Sequence, residues 1–416
     1  MASVSESKPE DRGRALLVIF YYLGVMFLTI FVLSPKVRDV LFSRGLRWVH
    51  LLTFSFLVSY LVTPLVRLSA AKIGVLDVPN ARKIHGKPTP LLGGLAVYAA
   101  FASTILNNFD FSIELKGVAI GATMVLFVGL VDDVVGLSAK IKLLAQVMAS
   151  LVMVIFGVTF EFVSPSTWGS VVEVIITVFW MVGITNAMNF FDGMDGLAAG
   201  LAAVSSLFIG IVAIQTNQAF LMFLALSLLG SCLGFLPYNF RLRGGATIFL
   251  GDTGSSFLGF VLAGMAVMGN WADNDPIKAF SVPILILGVL IFDMIYTTVE
   301  RILTRKVSNF REWLDYTGKD HLHHRLNGLG MTRRQSVLLI YLFGCGLGLS
   351  AIVLKDGRTI DALLLILQAI VVGLIVVILM LVGYRNVPNG DRVGEKGTAG
   401  HGGMGAREHG GEETGG

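Results

Sequence analysis

Apolar runs close to the length of a bilayer crossing recur along the whole chain, and this feature constrains the fold more than any other. About 20 apolar residues cross the hydrocarbon core as a helix, and backbone polar groups in lipid are satisfied only in helices or closed barrels. We therefore expect an all-α polytopic integral membrane protein with about 11–12 transmembrane helices. The twelve candidate runs are 15–34, 48–67, 91–107, 117–131, 141–158, 169–188, 197–214, 219–236, 250–268, 279–300, 336–354 and 361–383.

The composition excludes other classes of protein. Only 14% of the 416 residues are charged, whereas soluble domains carry about 25%. This argues against a soluble enzyme, a disordered chain and a nucleic-acid-binding module, and the net charge of +4 comes from scattered loops. Cys232 and Cys345 both lie in apolar runs, so a disulfide or zinc framework is not expected.

The chain divides into four predicted parts. Residues 1–14 form an N-terminal segment, and 15–34 form an additional membrane helix. Residues 48–383 form the main membrane domain. The Gly-rich tail, 384–416, has almost nothing apolar to bury and is predicted to be disordered.

The distribution of Lys and Arg predicts the orientation. With the N-terminus inside and the twelve runs alternating, 24 of the 32 basic residues fall on the cytoplasmic side, as the positive-inside rule requires. Both termini are then cytoplasmic. The segment 35–47 disagrees, since it places four basic residues outside. Either this segment is an exception, or the first run lies along the membrane.

Five aspartates mark the predicted cytoplasmic ends of the runs: Asp132, Asp133, Asp192, Asp195 and Asp252. Each alone could be a solvated loop residue or a helix cap. Together they would repel one another beside an already negative membrane surface. Because Mg²⁺ binds one or two carboxylates together with substrate phosphates, the pattern indicates a magnesium site at this face.

Cations and glycines accompany the acids on the same predicted face. Glycines around Asp252 allow backbone to approach a phosphate. The histidine spacing in H-L-H-H disfavours a zinc site on one helical face and fits better a loop that surrounds an anion with imidazole donors. Acids for a metal beside groups for phosphate indicate phosphoryl chemistry at the cytosol–lipid boundary. The basic and imidazole candidates are Arg82, Lys83, His85, Lys140, His321, His323, His324 and Arg325.

Two other classes of function stay open at this point. A transporter or channel with an acidic cytoplasmic cation path would also carry charged residues, although it would place them inside the spans. A non-catalytic lipid-binding scaffold is the other alternative. Release of a nucleotide that depends on both a metal and a lipid phosphate would separate the three.

Five motifs in order give the chain a resemblance to the polyprenyl-phosphate N-acetylhexosamine-1-phosphate transferase family. The H-x-H-H form is more similar to the WecA/TagO branch than to the related MraY branch. The matching segments are D-V-P-N-A-R-K-I-H-G-K-P-T-P-L-L-G-G (77–94), D-D-V-V-G-L-S-A-K (132–140), N-A-M-N-F-F-D-G-M-D-G (186–196), F-L-G-D-T-G-S (249–255) and H-L-H-H (321–324).

The resemblance implies a reaction and its partners. A sugar 1-phosphate, usually N-acetylglucosamine 1-phosphate, would pass from its UDP donor to undecaprenyl phosphate with release of UMP. It implies Mg²⁺, with Mn²⁺ as a substitute, and a multi-pass protein of the bacterial inner membrane whose site faces the cytoplasm. A homodimer is a further expectation.

The resemblance also implies roles for individual residues. Asn189 and Asp252 would hold the metal, and Phe249 would stack on uracil beside Asp195. The catalytic set would be Asp132, Asp133, Asp192, Lys140, His321, His323 and His324. The remaining substrate-binding set would be Asn239, Arg82, Lys83, His85 and Arg325.

Two mechanisms are consistent with these roles. In the first, an oxygen of the lipid phosphate attacks the β-phosphorus of the UDP-sugar directly. In the second, an aspartate attacks first and forms a phosphosugar-enzyme intermediate. We favour direct attack, because a phosphate monoester is mostly ionised at pH 7 and each aspartate already has an electrostatic role.

Overall fold

Helices form nearly all of the computed structural model, which describes residues 9–78, 87–108, 112–161, 166–241, 243–272, 275–309, 312–313, 316, 318 and 320–385. A single β-hairpin pairs β1 (Leu76–Asp77) with β2 (Thr89–Pro90). In these residues the helices are α1 (Pro9–Leu33), α2 (Pro35–Ser43), α3 (Arg47–Ile73), α4 (Gly93–Asn108), α5 (Ile113–Val135), α6 (Ala139–Ile155), α7 (Thr167–Phe190), α8 (Leu197–Gln215), α9 (Ala219–Asn239), α10 (Gly251–Met268), α11 (Pro276–Ile286), α12 (Gly288–Leu303), α13 (Leu322–Gly328), α14 (Arg333–Leu354) and α15 (Thr359–Arg385).

The predicted all-α polytopic membrane fold is confirmed. Every one of the twelve apolar runs is helical over most of its length. Within the described residues, nine helices are long and apolar enough to cross a membrane, or ten when one bent pair is counted as a span. The additional run near the N-terminus is among the nine, as Leu16–Leu33.

The run 279–300 corrects one prediction, because it is two helices instead of one. Helices α11 and α12 meet at an angle of 83°. Leu287 lies between them with φ −96° and ψ 12°, outside the regular helical values. The apolar pattern continues through this bend, so hydropathy alone could not reveal it.

Side-chain caps set several helix boundaries. The Ser112 side chain accepts a hydrogen bond from Leu115 N at the start of α5, and Asp275 caps α11. At the start of α14, Thr332 and Gln335 form a reciprocal capping box. Helix α3 ends at Gly74, whose φ of 81° is unfavourable for other residues.

Helix α10 is the centre of the bundle and starts at the candidate site. In its membrane-length window, 89% of the residues are buried, and α4, α5 and α7 pack around it. Small residues allow this close approach: a methyl group added at Gly94 of α4 would overlap the backbone of Gly254. We call the end of the bundle where α10 begins the site end, and the opposite end the far end.

Candidate active site

Aspartates from three distant segments meet at the site end. Asp132 and Asp133 lie in the last turn of α5, and Asp252 lies in the first turn of α10. Asp192 and Asp195 lie in the short connection between α7 and α8. The fold therefore brings together acids that are up to 120 residues apart in the sequence, since Asp132 and Asp252 share a contact with one lysine.

Lys142 lies between two of these carboxylates. Its Nζ donates to Asp132 Oδ2 and to Asp252 Oδ2, each at 2.8 Å. The other oxygen of Asp132 accepts a hydrogen bond from Leu137 N at 2.5 Å. One ammonium group thus offsets the repulsion between the two acids.

The position of Lys142 corrects the prediction for Lys140. Lys140 is exposed on the first turn of α6, and no ion pair among the described residues includes it. Residues two apart on a helix point in different directions, so only one of the two lysines reaches the carboxylates. The D-D-x-x-x-x-x-x-K-x-K spacing places two lysines after the aspartates and does not indicate which of them contacts the carboxylates.

Asp133 caps the start of α10. Its carboxylate accepts hydrogen bonds from Asp252 N at 2.9 Å, from Thr253 N at 3.0 Å and from Thr253 Oγ1 at 2.6 Å. Gly251 has φ 75°, and a Cβ there would lie 2.5 Å from Asp133 Oδ2. Asp133 and this glycine fix the orientation of Asp252.

Asp192 has an unusual electrostatic environment. Burial, followed by the negative charges of Asp252 and Asp133, raises the pKa of Asp192 well above its ordinary value, although a hydrogen bond from Gly251 acts in the opposite direction. The carboxyl group therefore retains a proton at higher pH than an exposed aspartate. A positive charge or a cation brought near would favour its ionised form.

A second loop, residues 243–250, packs against the loop that carries Asp195. Asp195 Oδ2 accepts a hydrogen bond from Ala246 N at 2.8 Å. Phe249 is half-buried, and its backbone bonds to Pro90 and Gly93. The motif segments 77–94 and 249–255 are thereby joined through their backbones, and the Asp195 side chain joins its own loop to the second loop.

The Asn239 side chain holds the two loops together through hydrogen bonds to their backbones. Its Oδ1 accepts from Gly196 N at 2.8 Å, and its Nδ2 donates to Ile248 O at 3.0 Å. The residue is only 3% exposed. This corrects its prediction as a substrate-binding residue, because its amide is already used inside the protein.

The H-L-H-H motif begins helix α13 and does not form the open anion-binding loop that we predicted. His321 is buried, with Nδ1 donating to Asp293 Oδ2 at 2.6 Å and Nε2 3.4 Å from Arg301. His323 is also buried, and neither ring nitrogen has a hydrogen-bond partner among the described residues. A Cβ on Gly193 would lie 2.6 Å from His323 Nε2, so this imidazole lies against the Asp192–Asp195 loop.

The environment of His323 favours its neutral form. Burial, followed by the positive charges of His324 and His321, lowers the pKa of His323 well below its ordinary value. His324 is half-buried, with its ring centroid 4.2 Å from that of His323. The two rings pack against each other next to the Asp192–Asp195 loop.

Arg325 points away from the aspartates, which corrects its prediction as a substrate-binding residue. Its guanidinium pairs with Glu300, donates to Asp320 O at 2.6 Å and lies over the Tyr296 ring. Burial alone would lower the pKa of Arg325, but its hydrogen bond to Glu300 outweighs this and raises it. Its charge is neutralised within the protein.

Asp293, Arg301 and Asp320 form a buried polar network that the sequence analysis missed. Asp293 is fully buried and also accepts from Leu322 N at 2.6 Å. Arg301 makes two hydrogen bonds of 2.8 Å to Asp320, which outweigh the opposing effect of burial and lower the pKa of Asp320. An aspartate inside the run 279–300 was the available signal, because an acid within a span indicates function.

The predicted basic residues Arg82, Lys83 and His85 lie outside the described residues. Their neighbours in the sequence form the β1–β2 hairpin, and Pro90 of that hairpin accepts a hydrogen bond from Phe249 N at 2.8 Å.

The donor set at the site end is compatible with a hard divalent cation. Asn189 Nδ2 donates to Ser255 Oγ at 3.0 Å, and Ser255 lies one helical turn after Asp252. This hydrogen bond leaves the amide oxygen of Asn189 for another partner. Among the described residues no three His, Cys, Asp or Glu side chains form a complete metal site. Mg²⁺ needs only one or two protein carboxylates when substrate phosphates complete its shell, so the set fits that ion.

Fold and site together define a multi-pass membrane protein with an acid-rich site at one end of its bundle. The profile of Glycosyl transferase family 4 matches residues 115–270, which contain all five aspartates. The chain belongs to this family.

Three relatives cover most of the chain. A probable undecaprenyl-phosphate N-acetylglucosaminyl 1-phosphate transferase of Bacillus subtilis is 37% identical over 76% of this chain and 87% of its own length. A decaprenyl-phosphate N-acetylglucosaminephosphotransferase of Mycolicibacterium smegmatis is 32% identical over 80% of this chain and 88% of its own length. An undecaprenyl-phosphate alpha-N-acetylglucosaminyl 1-phosphate transferase of Escherichia coli is 30% identical over 69% of this chain and 78% of its own length. These relatives give no support to a transporter or channel.

Proposed function

We propose that this protein transfers N-acetylglucosamine 1-phosphate, or a related N-acetylhexosamine 1-phosphate, from its UDP donor to undecaprenyl phosphate. The products are undecaprenyl-diphosphate-sugar and UMP. The observation that carries the proposal is the convergence of Asp132, Lys142 and Asp252 at 2.8 Å contacts at the end of a membrane bundle. The names of the relatives support the acceptor and the sugar.

We assign the metal to Asn189 and Asp252, with Mg²⁺ as the ion and Mn²⁺ as a substitute. The bound ion would neutralise negative charge on the donor diphosphate. Asp133 holds the start of α10 in place and thereby fixes the direction of the Asp252 carboxylate.

The reaction is a direct in-line displacement. An oxygen of the lipid phosphate forms a bond to the β-phosphorus of the UDP-sugar, and the bond from that phosphorus to the oxygen bridging the two phosphates breaks. That oxygen leaves with UMP. The attacking monoester is mostly ionised at neutral pH, since its second pKa is about 6, so Asp132 is needed to orient it more than to deprotonate it.

Charge neutralisation and positioning are the main contributions that the protein makes. Lys142 supplies a cation between Asp132 and Asp252, where the phosphates of both substrates must meet. Phe249 and Asp195 lie on two joined loops and are assigned to the uracil ring. His323 and His324 are assigned to the sugar or the donor phosphates.

The location follows from charge and hydropathy. The excess of Lys and Arg on one side orients the site end toward the cytoplasm, in the inner membrane of a bacterium. Residues 48–383 form the transferase domain, and α1 is an addition to it.

The test uses the purified full-length protein with radiolabelled UDP-N-acetylglucosamine. We expect labelled lipid and UMP in equal amounts, both requiring undecaprenyl phosphate and Mg²⁺, with loss in a chelator and recovery with Mn²⁺. A panel of UDP-sugars then identifies the preferred donor. UMP release without the lipid, or label trapped on Asp132, Asp133 or Asp192, would contradict direct transfer.

A further inference from the structure

A basic corner lies at the far end of the molecule, opposite the site. It consists of Lys36 and Arg38 of α2 and of Arg44 just after it. Helix α3 separates the corner from the site end: its 27 residues span about 40 Å at 1.5 Å per residue. These cations therefore cannot act on substrates bound among the aspartates.

The basic corner carries more positive charge than its acidic neighbours neutralise. Asp39 is the only acid in the sequence between Ser34 and His50. It pairs with Arg38 at 3.3 Å, with the Arg38 side chain 40% exposed. Lys36 and Arg44 are exposed, and no ion pair within the described ranges includes them. Cations on the far side also run against the positive-inside tendency, which leaves their charge to be explained.

The corner rests on an ordered polar and aromatic base. The Arg47 guanidinium lies 4.9 Å from the Phe42 ring centroid and 4.6 Å from that of Phe223. His50 packs edge-on against Phe42 at 5.5 Å and is 1% exposed. Its buried Nδ1 has no hydrogen-bond partner in the described part of the chain. Helix α2 is thus held at a defined place although none of its own residues is fully buried.

Apolar surface adjoins the cations. Val40 of α2 and Trp48 at the start of α3 are 50% and 42% exposed. The preceding helix α1 exposes large side chains from Leu16 to Leu33, and only 6% of the residues in this window are buried. Cations at the end of a lipid-facing helix, beside exposed Trp and Val, lie at the level of lipid headgroups.

We propose that the basic corner binds the phosphate headgroup of an anionic phospholipid in the leaflet opposite the active site. Surplus positive charge provides the attraction, and the neighbouring apolar side chains select a lipid over a free phosphate ion. This inference does not depend on the proposed sugar-phosphate transfer, since neither the corner nor its readout involves the site end.

Native mass spectrometry of the full-length protein tests the proposal, with phosphatidylglycerol and phosphatidylcholine as probes. We expect the unmodified protein to retain phosphatidylglycerol in preference to phosphatidylcholine. In the triple variant Lys36→Gln, Arg38→Gln, Arg44→Gln, the affinity for phosphatidylglycerol should fall about fivefold for each charge removed. The preference over phosphatidylcholine should then be lost. Inorganic phosphate should not displace the lipid.

A matched control comes from the other far-end cations, between α14 and α15. Lys355 and Arg358 each have an acidic partner, Asp356 and Asp361, so Lys355→Gln with Arg358→Gln should leave lipid retention unchanged. If the triple variant melts early, Arg44→Gln alone should still weaken binding about fivefold. Equal retention of both lipids, equal loss in the control variant, or full displacement by inorganic phosphate would overturn the proposal.

Discussion

At the scale of single residues, Lys142 is the charge that allows two carboxylates to share one small volume. Without a cation, Asp132 and Asp252 would repel each other, and one of them would take up a proton. Lys142, at 2.8 Å from each carboxylate, offsets part of that repulsion at the proposed site. The same lysine connects the end of α5 to the start of α10.

Replacing Lys142 should therefore abolish most activity. We expect Lys142→Gln to lower kcat by about 10²–10³-fold, the effect of losing one preorganised electrostatic contact. Lys140→Gln is the matched control, since Lys140 is exposed, and it should retain near-normal turnover. The measurement is the steady-state rate of UMP release, and equal losses in the two variants would contradict the assignment.

His323 predicts how stability depends on pH. Its folded-state pKa lies below the ordinary value of 6.5, so the unfolded chain binds this proton more readily. Stability is then complete above about pH 6.5 and falls as the pH drops below it, by up to about 1.4 kcal/mol per pH unit.

The comparison with His323→Gln isolates this contribution. We expect the melting temperature of the purified protein to fall more steeply between pH 7.5 and pH 5.5 than that of the variant. Parallel pH profiles would show that His323 is not buried in its neutral form.

Residue types could be predicted from the sequence better than residue contacts. The five aspartates were found because acids at the ends of apolar runs are unusual. The choice of Lys142 over Lys140 depends on which face of α6 meets α10, and the internal use of Asn239 and Arg325 depends on partners far away in the chain. These choices depend on tertiary contacts, which the spacing of residues in the sequence does not reveal.

At the scale of elements, the start of α10 organises the site. Asp133 caps it from α5, and Gly93 and Gly94 of α4 donate to Phe249 O and Leu250 O just before it. Helices α4 and α5 and the loop before α10 therefore converge where Asp252 is presented. Close contact between backbones, made possible by glycine, is what allows this convergence.

Gly94→Ala should consequently destabilise the protein. The added methyl group would overlap the backbone of Gly254, which cannot rotate away, and overpacking of this kind costs about 1–3 kcal/mol. Gly183→Ala is the control, because a Cβ at Gly183 in α7 meets nothing within 4 Å. Thermal unfolding of the two variants in detergent tests this, and a Gly94→Ala melting temperature at or above that of Gly183→Ala would refute it.

The order of the apolar helices could be predicted from hydropathy, whereas the exact number of helices and their geometry could not. All twelve apolar runs are helical, but the bend of 83° at Leu287 leaves the apolar pattern unchanged. Helices α2 and α13 are too short and too polar for a search based on membrane length. Asp293 was visible inside its run, but its role became clear only when α13 was found to begin beside it.

At the scale of the whole molecule, the bundle separates the two proposed binding regions by about 40 Å. The site end concentrates acids, one bridging lysine and imidazoles. The far end carries a basic corner that faces the opposite leaflet. On our proposals, one end would hold the orientation of the protein in the bilayer while the other binds the two substrates.

The most direct test of the proposed active site is UMP release by Asp252→Asn beside the unmodified protein, with UDP-N-acetylglucosamine, undecaprenyl phosphate and Mg²⁺ supplied to both. Loss of the carboxylate should remove the metal site and leave a folded protein, because Asp133 still caps α10 through backbone groups. We predict Mg²⁺-dependent UMP release from the unmodified protein and a rate at least about 10²-fold lower from the variant at an unchanged melting temperature. A near-normal rate from Asp252→Asn, or no release from the unmodified protein, would contradict the assignment.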